Sequence, residues 1–238
     1  MGRLALVGGH GFGAMLPWAE APRNEVQTER GPVEVLDAGD HVVLARHGVG
    51  SYTPAQLVDH ARNLAALAAS GCDRVLATCS VGSLSRELEV GTLLCPDDFI
   101  SLSRSDAAFD DERGHVAPGF DPVWRRLIIE AWEAGAEAPL RERGIYWQSP
   151  GPRFETPAEV RLIAGHADVV GMTMASECVI ASQLGLAYAA ICVVDNLANG
   201  LDPEPLSQEQ LEASQAHNWA RLASALQSLL PALTSSSR

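Results

Sequence analysis

The run Ala187-Tyr-Ala-Ala-Ile-Cys-Val-Val194 constrains the fold more than any other stretch. Side chains of a strand alternate between two faces, so a strand with no polar residue is covered on both. That is the pattern of a central strand sandwiched by other layers. The rest of the chain agrees, because short apolar, β-branched runs alternate with helical patterns. Leu4–Gly8, His41–Ala45, Arg74–Thr78, Thr92–Cys95 and Ile145–Gln148 read as further strands. Leu57, Ala61, Leu64 and Ala68 recur at helical spacing, and Gly71 stops that helix. Val123, Leu127, Ala131 and Ala134 mark a second helix, and Trp219, Leu222, Leu226 and Leu229 a last one. The expectation is one α/β domain over residues 1–233 with a largely central sheet, and a tail over 234–238 that frays.

Composition narrows the function. The 238 residues carry a net charge of −13, so the chain is not expected to wrap a nucleic acid, whose binding rests on Lys and Arg neutralising phosphates. A small anion can still bind at a local basic spot. No apolar stretch approaches the length of a membrane span, and Leu4–Val7 is too short for the core of a signal peptide. A soluble, cytoplasmic protein is therefore expected. The five cysteines (Cys72, Cys79, Cys95, Cys178 and Cys192) form no C-x-x-C pair and are odd in number, which argues against disulfides and a zinc site. They read as small buried hydrophobes.

In open α/β sheets, ligands gather where strands end. Polar residues cluster at five such ends: Gly8-Gly-His10-Gly11, Arg46-His47, Cys79-Ser80, Met172-Thr173 and Asp195-Asn196. The glycines of the first cluster make either an anion-binding loop or a tight turn. Arg46 offers a planar fork of donors suited to phosphate, or to a surface acid. In the loop Gly151-Pro-Arg-Phe-Glu-Thr-Pro157, Phe154 can stack on a base and Glu155 can accept hydrogen bonds from its edge, unless Glu155 pairs with Arg153. A buried Asp195 or Asn196 must find a partner. A polar loop over 103–118 carries His115. His41, His60, His166 and His217 join no cluster and read as structural or solvent-facing.

The loop at 151–159, followed by Val170-Gly-Met-Thr-Met-Ala-Ser-Glu177, resembles the ribose and phosphate region of the trimeric purine nucleoside phosphorylase and methylthioadenosine phosphorylase family. The resemblance runs from Gly8 to Asn196. It implies a twisted mixed sheet curling into a small barrel flanked by helices. It implies phosphate ligands at His10, Arg46, His47, Ser80 and Thr173, with His10 standing where the family has Ser or Thr. It implies substrate contacts from Cys79, Phe154 and Met172, with Asp195 beside them, and from Glu177 unless that residue orients its neighbours. Glu155 and Asn196 would bind the leaving base. Asn196, with Ala198 where the 6-aminopurine enzymes carry a second Asp, points to 6-oxopurines. The 5′ end of the sugar would face Leu206-Ser207. His115 would reach a neighbouring subunit, making a homotrimer. The implied reaction is phosphorolysis of a purine nucleoside, with inorganic phosphate as co-substrate and no metal or prosthetic group. A methylthioadenosine or methylthioinosine phosphorylase, a nucleoside hydrolase and a non-catalytic nucleoside-binding protein are the alternatives.

Overall fold

The computed structural model describes residues 2–9, 12, 18–49, 52–103, 106–202 and 208–235, with the side chains of 208–213 and 215–217 left aside. In chain order it contains β1 (Arg3–Gly8), β2 (Arg23–Val26), β3 (Val33–Asp37), β4 (His41–Ala45), α1 (His60–Ala69), β5 (Cys72–Ser83), β6 (Leu93–Leu94), β7 (Asp98–Ser101), α2 (Pro122–Gly135), β8 (Leu140–Arg141), β9 (Ile145–Gln148), α3 (Pro157–Ile163), β10 (Val169–Gly171), α4 (Met174–Leu184), β11 (Ala187–Leu197) and α5 (Gln208–Ser235).

All eleven strands share one mixed sheet that branches at β5. β1 and β11 both run parallel to β5, one on each edge. β10 then pairs antiparallel with the last residues of β5, Gly82 and Ser83. The described pairings branch rather than run round a closed ring. The strand was expected to end at Thr78, yet it continues to Ser83. Partners on both edges satisfy its backbone there, and both lie far away in sequence.

β11 is covered on both faces, as its sequence requires. Ala190, Cys192 and Val194 pack with Leu64, Leu67, Met174 and Cys178 of α1 and α4. Ala189, Ile191 and Val193 pack with Trp124, Ile128, Leu222 and Leu226 of α2 and α5. The core is thus two apolar layers with the sheet between them.

Local chemistry sets the helix ends. Asp59 caps α1 through the Arg62 N–H, and Gly71, at φ 79°, turns the chain out after Ser70. Asp121 caps α2, with Pro122 at its first turn. Thr156 and Glu159 form a capping box on α3. α5 runs through Ser235, two residues into the segment expected to fray.

The buried face of α2 is one residue off the expected stripe. Trp124, Ile128 and Trp132 are buried, while Val123 is exposed. The two indoles dictate the rotation, since each also needs a hydrogen-bond acceptor inside: Trp124 donates to the Val75 carbonyl and Trp132 to the Ala138 carbonyl. Ile128→Ala should therefore cost about 2–5 kcal/mol in denaturant unfolding. Val123→Ala should stay within about 0.5 kcal/mol of the parent. Equal losses would return the stripe to the 123 face.

Candidate active site

β1, β4, β5 and β11 are parallel, so their C-terminal ends open on the same side of the sheet. Gly9, Arg46, Ser80 and Asn196 follow or end those strands, and all four line one cavity of about 680 Å³. The loop after β9 and the junction of β10 with α4 supply Phe154, Glu155, Met172 and Thr173. His47, Cys79 and Trp219 complete the parts used below.

Arg46 is 3% exposed, and Glu177, in the first turn of α4, is 0% exposed. They form a two-bond fork: Arg46 Nε donates to Oε1 and Nη2 to Oε2 at 2.9 Å. Arg46 Nη1 also donates to the Thr78 carbonyl at 3.1 Å. A guanidinium has five N–H groups, so two remain for whatever fills the cavity. Glu177 Oε2 also accepts from the Tyr188 hydroxyl at 2.7 Å, and His60 Nδ1 lies 3.7 Å from Oε1. Burial alone would raise the Glu177 carboxyl, but Arg46 and His60 outweigh it and hold the group well below its ordinary 4.5. Glu177 therefore stays a carboxylate and Arg46 a cation. The positive end of the α4 dipole adds to this.

His47 Nδ1 lies 2.8 Å from the Thr53 carbonyl, which can only accept, so Nδ1 carries a proton. Nε2 is the ring nitrogen left for the cavity. Burial, with Arg46 beside it, holds the imidazole below its ordinary 6.5 against the pull of that carbonyl. Neutral His47 thus offers an acceptor, suited to a hydroxyl or a protonated anion. Its ring stacks on Tyr52.

Thr173 stands at the N-cap of α4 without using its hydroxyl as a cap. The Tyr146 hydroxyl accepts from the backbone N–H groups of Thr173 and Met174 instead, and Gln148 Oε1 accepts from that of Ser176. The Thr173 hydroxyl is thereby left to the cavity, with the Cys79 sulfur 3.8 Å away. Burial pushes the Cys79 thiol up, so it stays protonated.

At the other end, Arg153 pairs with Glu159 rather than with Glu155, and no described side chain bonds the Glu155 carboxylate. Asn199 Nδ2 donates to the Glu155 carbonyl at 3.0 Å and so fixes the loop. Asn196 Nδ2 gives one N–H to the Leu197 carbonyl at 2.8 Å, which leaves its other N–H and Oδ1. Gly151 sits at φ 66°, and a Cβ there would meet Met172 Sδ at 2.8 Å, so only glycine lets the loop close on Met172.

The profile of the Phosphorylase superfamily matches residues 3–231. The chain belongs to this superfamily. It is 35% identical to the 6-oxopurine nucleoside phosphorylase of Pyrococcus furiosus, over 89% of this chain and 85% of that one. It is 32% identical to the probable 6-oxopurine nucleoside phosphorylase of Archaeoglobus fulgidus, over 90% of each. It is 34% identical to the probable S-methyl-5′-thioinosine phosphorylase of Methanopyrus kandleri, over 85% of this chain and 81% of that one. Among solved structures, an adenosine/methylthioadenosine phosphorylase mutant from Schistosoma mansoni superposes with a TM-score of 0.81 at 22% identity, covering 99% and 98% of the two chains. That likeness concerns the superfamily fold.

Of the residues singled out by sequence, Arg46, His47, Cys79, Ser80, Phe154, Glu155, Met172, Thr173 and Asn196 meet on this cavity. Three do not. Glu177 was expected at the substrate, but lies behind Arg46 with its oxygens already engaged. Asp195 is 1% exposed and turns to Asn218 of α5. His115 follows a short 3₁₀ turn at 112–114, off the cavity of its own chain. His10, Leu206, Ser207 and the His217 side chain lie outside the described residues. His60 was read as uninvolved, yet it stands beside Glu177; only the fold brings it there. Sequence reasoning also missed Tyr52 and Asn199 on the cavity wall. Trp219 keeps its expected place on the core stripe, packing on Phe12, and also lines the cavity. Asn199, three residues after Asn196 and next to Gly200, had only that proximity as a signal.

The stabilisation from a carboxyl with a lowered pKa is complete above its unfolded value and is lost as the pH falls below it. Glu177→Gln strands a buried guanidinium and should cost about 3–5 kcal/mol at neutral pH in urea unfolding. The gap to the parent should narrow below pH 4.5, the ordinary value for this carboxyl. A gap that is absent at neutral pH, or constant into acid, would contradict the arrangement.

Proposed function

We propose that the chain catalyses phosphorolysis of purine ribonucleosides, with 6-oxopurines preferred, releasing the free base and ribose 1-phosphate. One observation carries this reading. A single cavity holds a guanidinium with two uncommitted N–H groups near one wall, and a carboxylate and a carboxamide with free valences near another. The names of the relatives at 32–35% identity support the same chemistry.

In this reaction a phosphate oxygen bonds to C1′ as the C1′–N9 bond breaks. The bonding pair leaves with the purine, which takes up the proton that the hydrogen phosphate gives up, while positive charge builds on the sugar. Arg46 and the Thr173 hydroxyl hold the anion against that cation, and neutral His47 accepts a hydrogen bond from a protonated phosphate oxygen. Asn196 donates to the base as negative charge develops, and Glu155 accepts from the ring N–H. Groups fixed in advance towards developing charge form the largest catalytic term in many enzymes, and placing the nucleophile adds to it. Inorganic phosphate is the co-substrate, and no metal ion or prosthetic group enters the scheme.

A methylthioinosine substrate is the second reading, favoured by the Methanopyrus relative. Both readings share an inosine-type base. The homotrimer belongs to the same proposal: His115 stands off its own cavity, where a neighbouring subunit could receive it.

The test is base release from inosine, guanosine, adenosine and their methylthio analogues, each with and without phosphate. Release from the 6-oxopurines that requires phosphate is expected. Equal release without phosphate would mean hydrolysis, and no release from any would favour a binding protein.

Base selectivity turns on Asn196. An amide can donate to a 6-oxo group, whereas a carboxylate can only accept. Asn196→Asp should therefore lower the ratio of inosine to adenosine turnover, by about tenfold if one hydrogen bond to developing charge is lost. An unchanged ratio would remove Asn196 from base recognition.

A further inference from the structure

Asp195 is a buried carboxylate that the scheme above does not use. Along β11, Val193 pairs with Ser80 and Val194 with Val81, but Asn196 pairs with Gly82. Asp195 is the extra residue of a β-bulge. A bulge slips the pairing of the two strands by one residue. Asp195 keeps the side of Ala189, Ile191 and Val193 and meets α5, while Asn196 lines the cavity.

Asn218 holds Asp195 there. Asn218 Nδ2 donates to Oδ1 at 2.8 Å and also reaches the Val194 carbonyl at 3.3 Å. Oδ2 of the same carboxylate is buried and has no hydrogen-bond partner among the described residues. Asn218 leads straight back to the cavity, because it is followed by Trp219, which is on the wall. Asn218 is 3% exposed, so the link is dry. Arg221, one turn on, adds a bond to the Gly91 carbonyl, and Gly91 N–H donates to the Val194 carbonyl. The start of the described part of α5 is thus fastened to the strand end that carries Asn196.

We propose that Asp195 is a positioning residue: from the end of β11 it docks, through Asn218, the helix that brings Trp219 to the cavity. The inference rests on the phosphorolysis reading for its kinetic readout only.

The variants are Asp195→Leu, which fills the space without a polar atom, and Asp195→Asn, which keeps an acceptor for Asn218. Asn218→Leu probes the link from the other side should Asp195→Leu fail to fold. A merely structural role would reduce the folded fraction, lowering kcat and leaving KM unchanged. Positioning should raise KM for phosphate or nucleoside in Asp195→Leu by about tenfold, the size of one lost hydrogen bond to a charged group. Asp195→Asn should recover most of that. Backbone amide exchange, measured without substrate, should accelerate in α5 around 218–222 in Asp195→Leu or Asn218→Leu, and not in α2. Unchanged exchange in α5 overturns the proposal whatever the enzyme acts on. Faster exchange with unchanged KM overturns it too, because the link would then be structural. If the parent shows no phosphorolysis, the functional reading fails, and the exchange result still decides the link.

Discussion

The fork between Arg46 and Glu177 is the interaction on which the site depends. The two residues are 131 positions apart and come from the end of β4 and the first turn of α4. Neither charge could be buried alone, since an unpaired ion in the interior costs several kcal/mol. Together they fix the guanidinium plane, with Thr78 and Tyr188 taking up the remaining inner valences. Two N–H groups of Arg46, which lines the cavity, are left uncommitted. A carboxylate that never reaches the cavity thereby decides how the cavity presents its cation.

This resolves the tension between an acidic chain and an anionic co-substrate. The net charge of −13 governs the far field and solubility. A buried cation, paired with Glu177 on its inner side, governs the near field. His47 stays uncharged through its own burial and through Arg46, so it does not compete with Arg46 for the Glu177 carboxylate. The exposed acids are screened within about 8–10 Å at ordinary salt.

The sequence is legible where the physics is local. β11 could be read because a strand covered on both faces can carry no polar residue. Helix ends could be read because Asp59, Asp121 and Thr156 cap their own next turn. The strand-end clusters could be read because parallel strands must end on one side. Non-local consequences could not. The extension of β5 to Ser83 needs β10 and β11 as partners. The rotation of α2 follows from acceptors for two indoles. Glu177 looked like a substrate residue because its partner is distant in sequence, and Asp195 follows the alternation of Ile191 and Val193 onto α5, where its partner Asn218 is distant in sequence too. The β2–β3 hairpin escaped notice because the exposed Arg23-Asn-Glu-Val26 lacks an apolar face.

The most direct test of the central claim is a crystal structure of the protein soaked in inorganic phosphate. The account predicts phosphate oxygens about 2.7–2.9 Å from the Arg46 Nη atoms, as in charge-assisted pairs, with the fork to Glu177 intact and the Thr173 hydroxyl turned to the same anion. Phosphate bound away from Arg46, or an Arg46 that leaves Glu177 to reach it, would contradict the account.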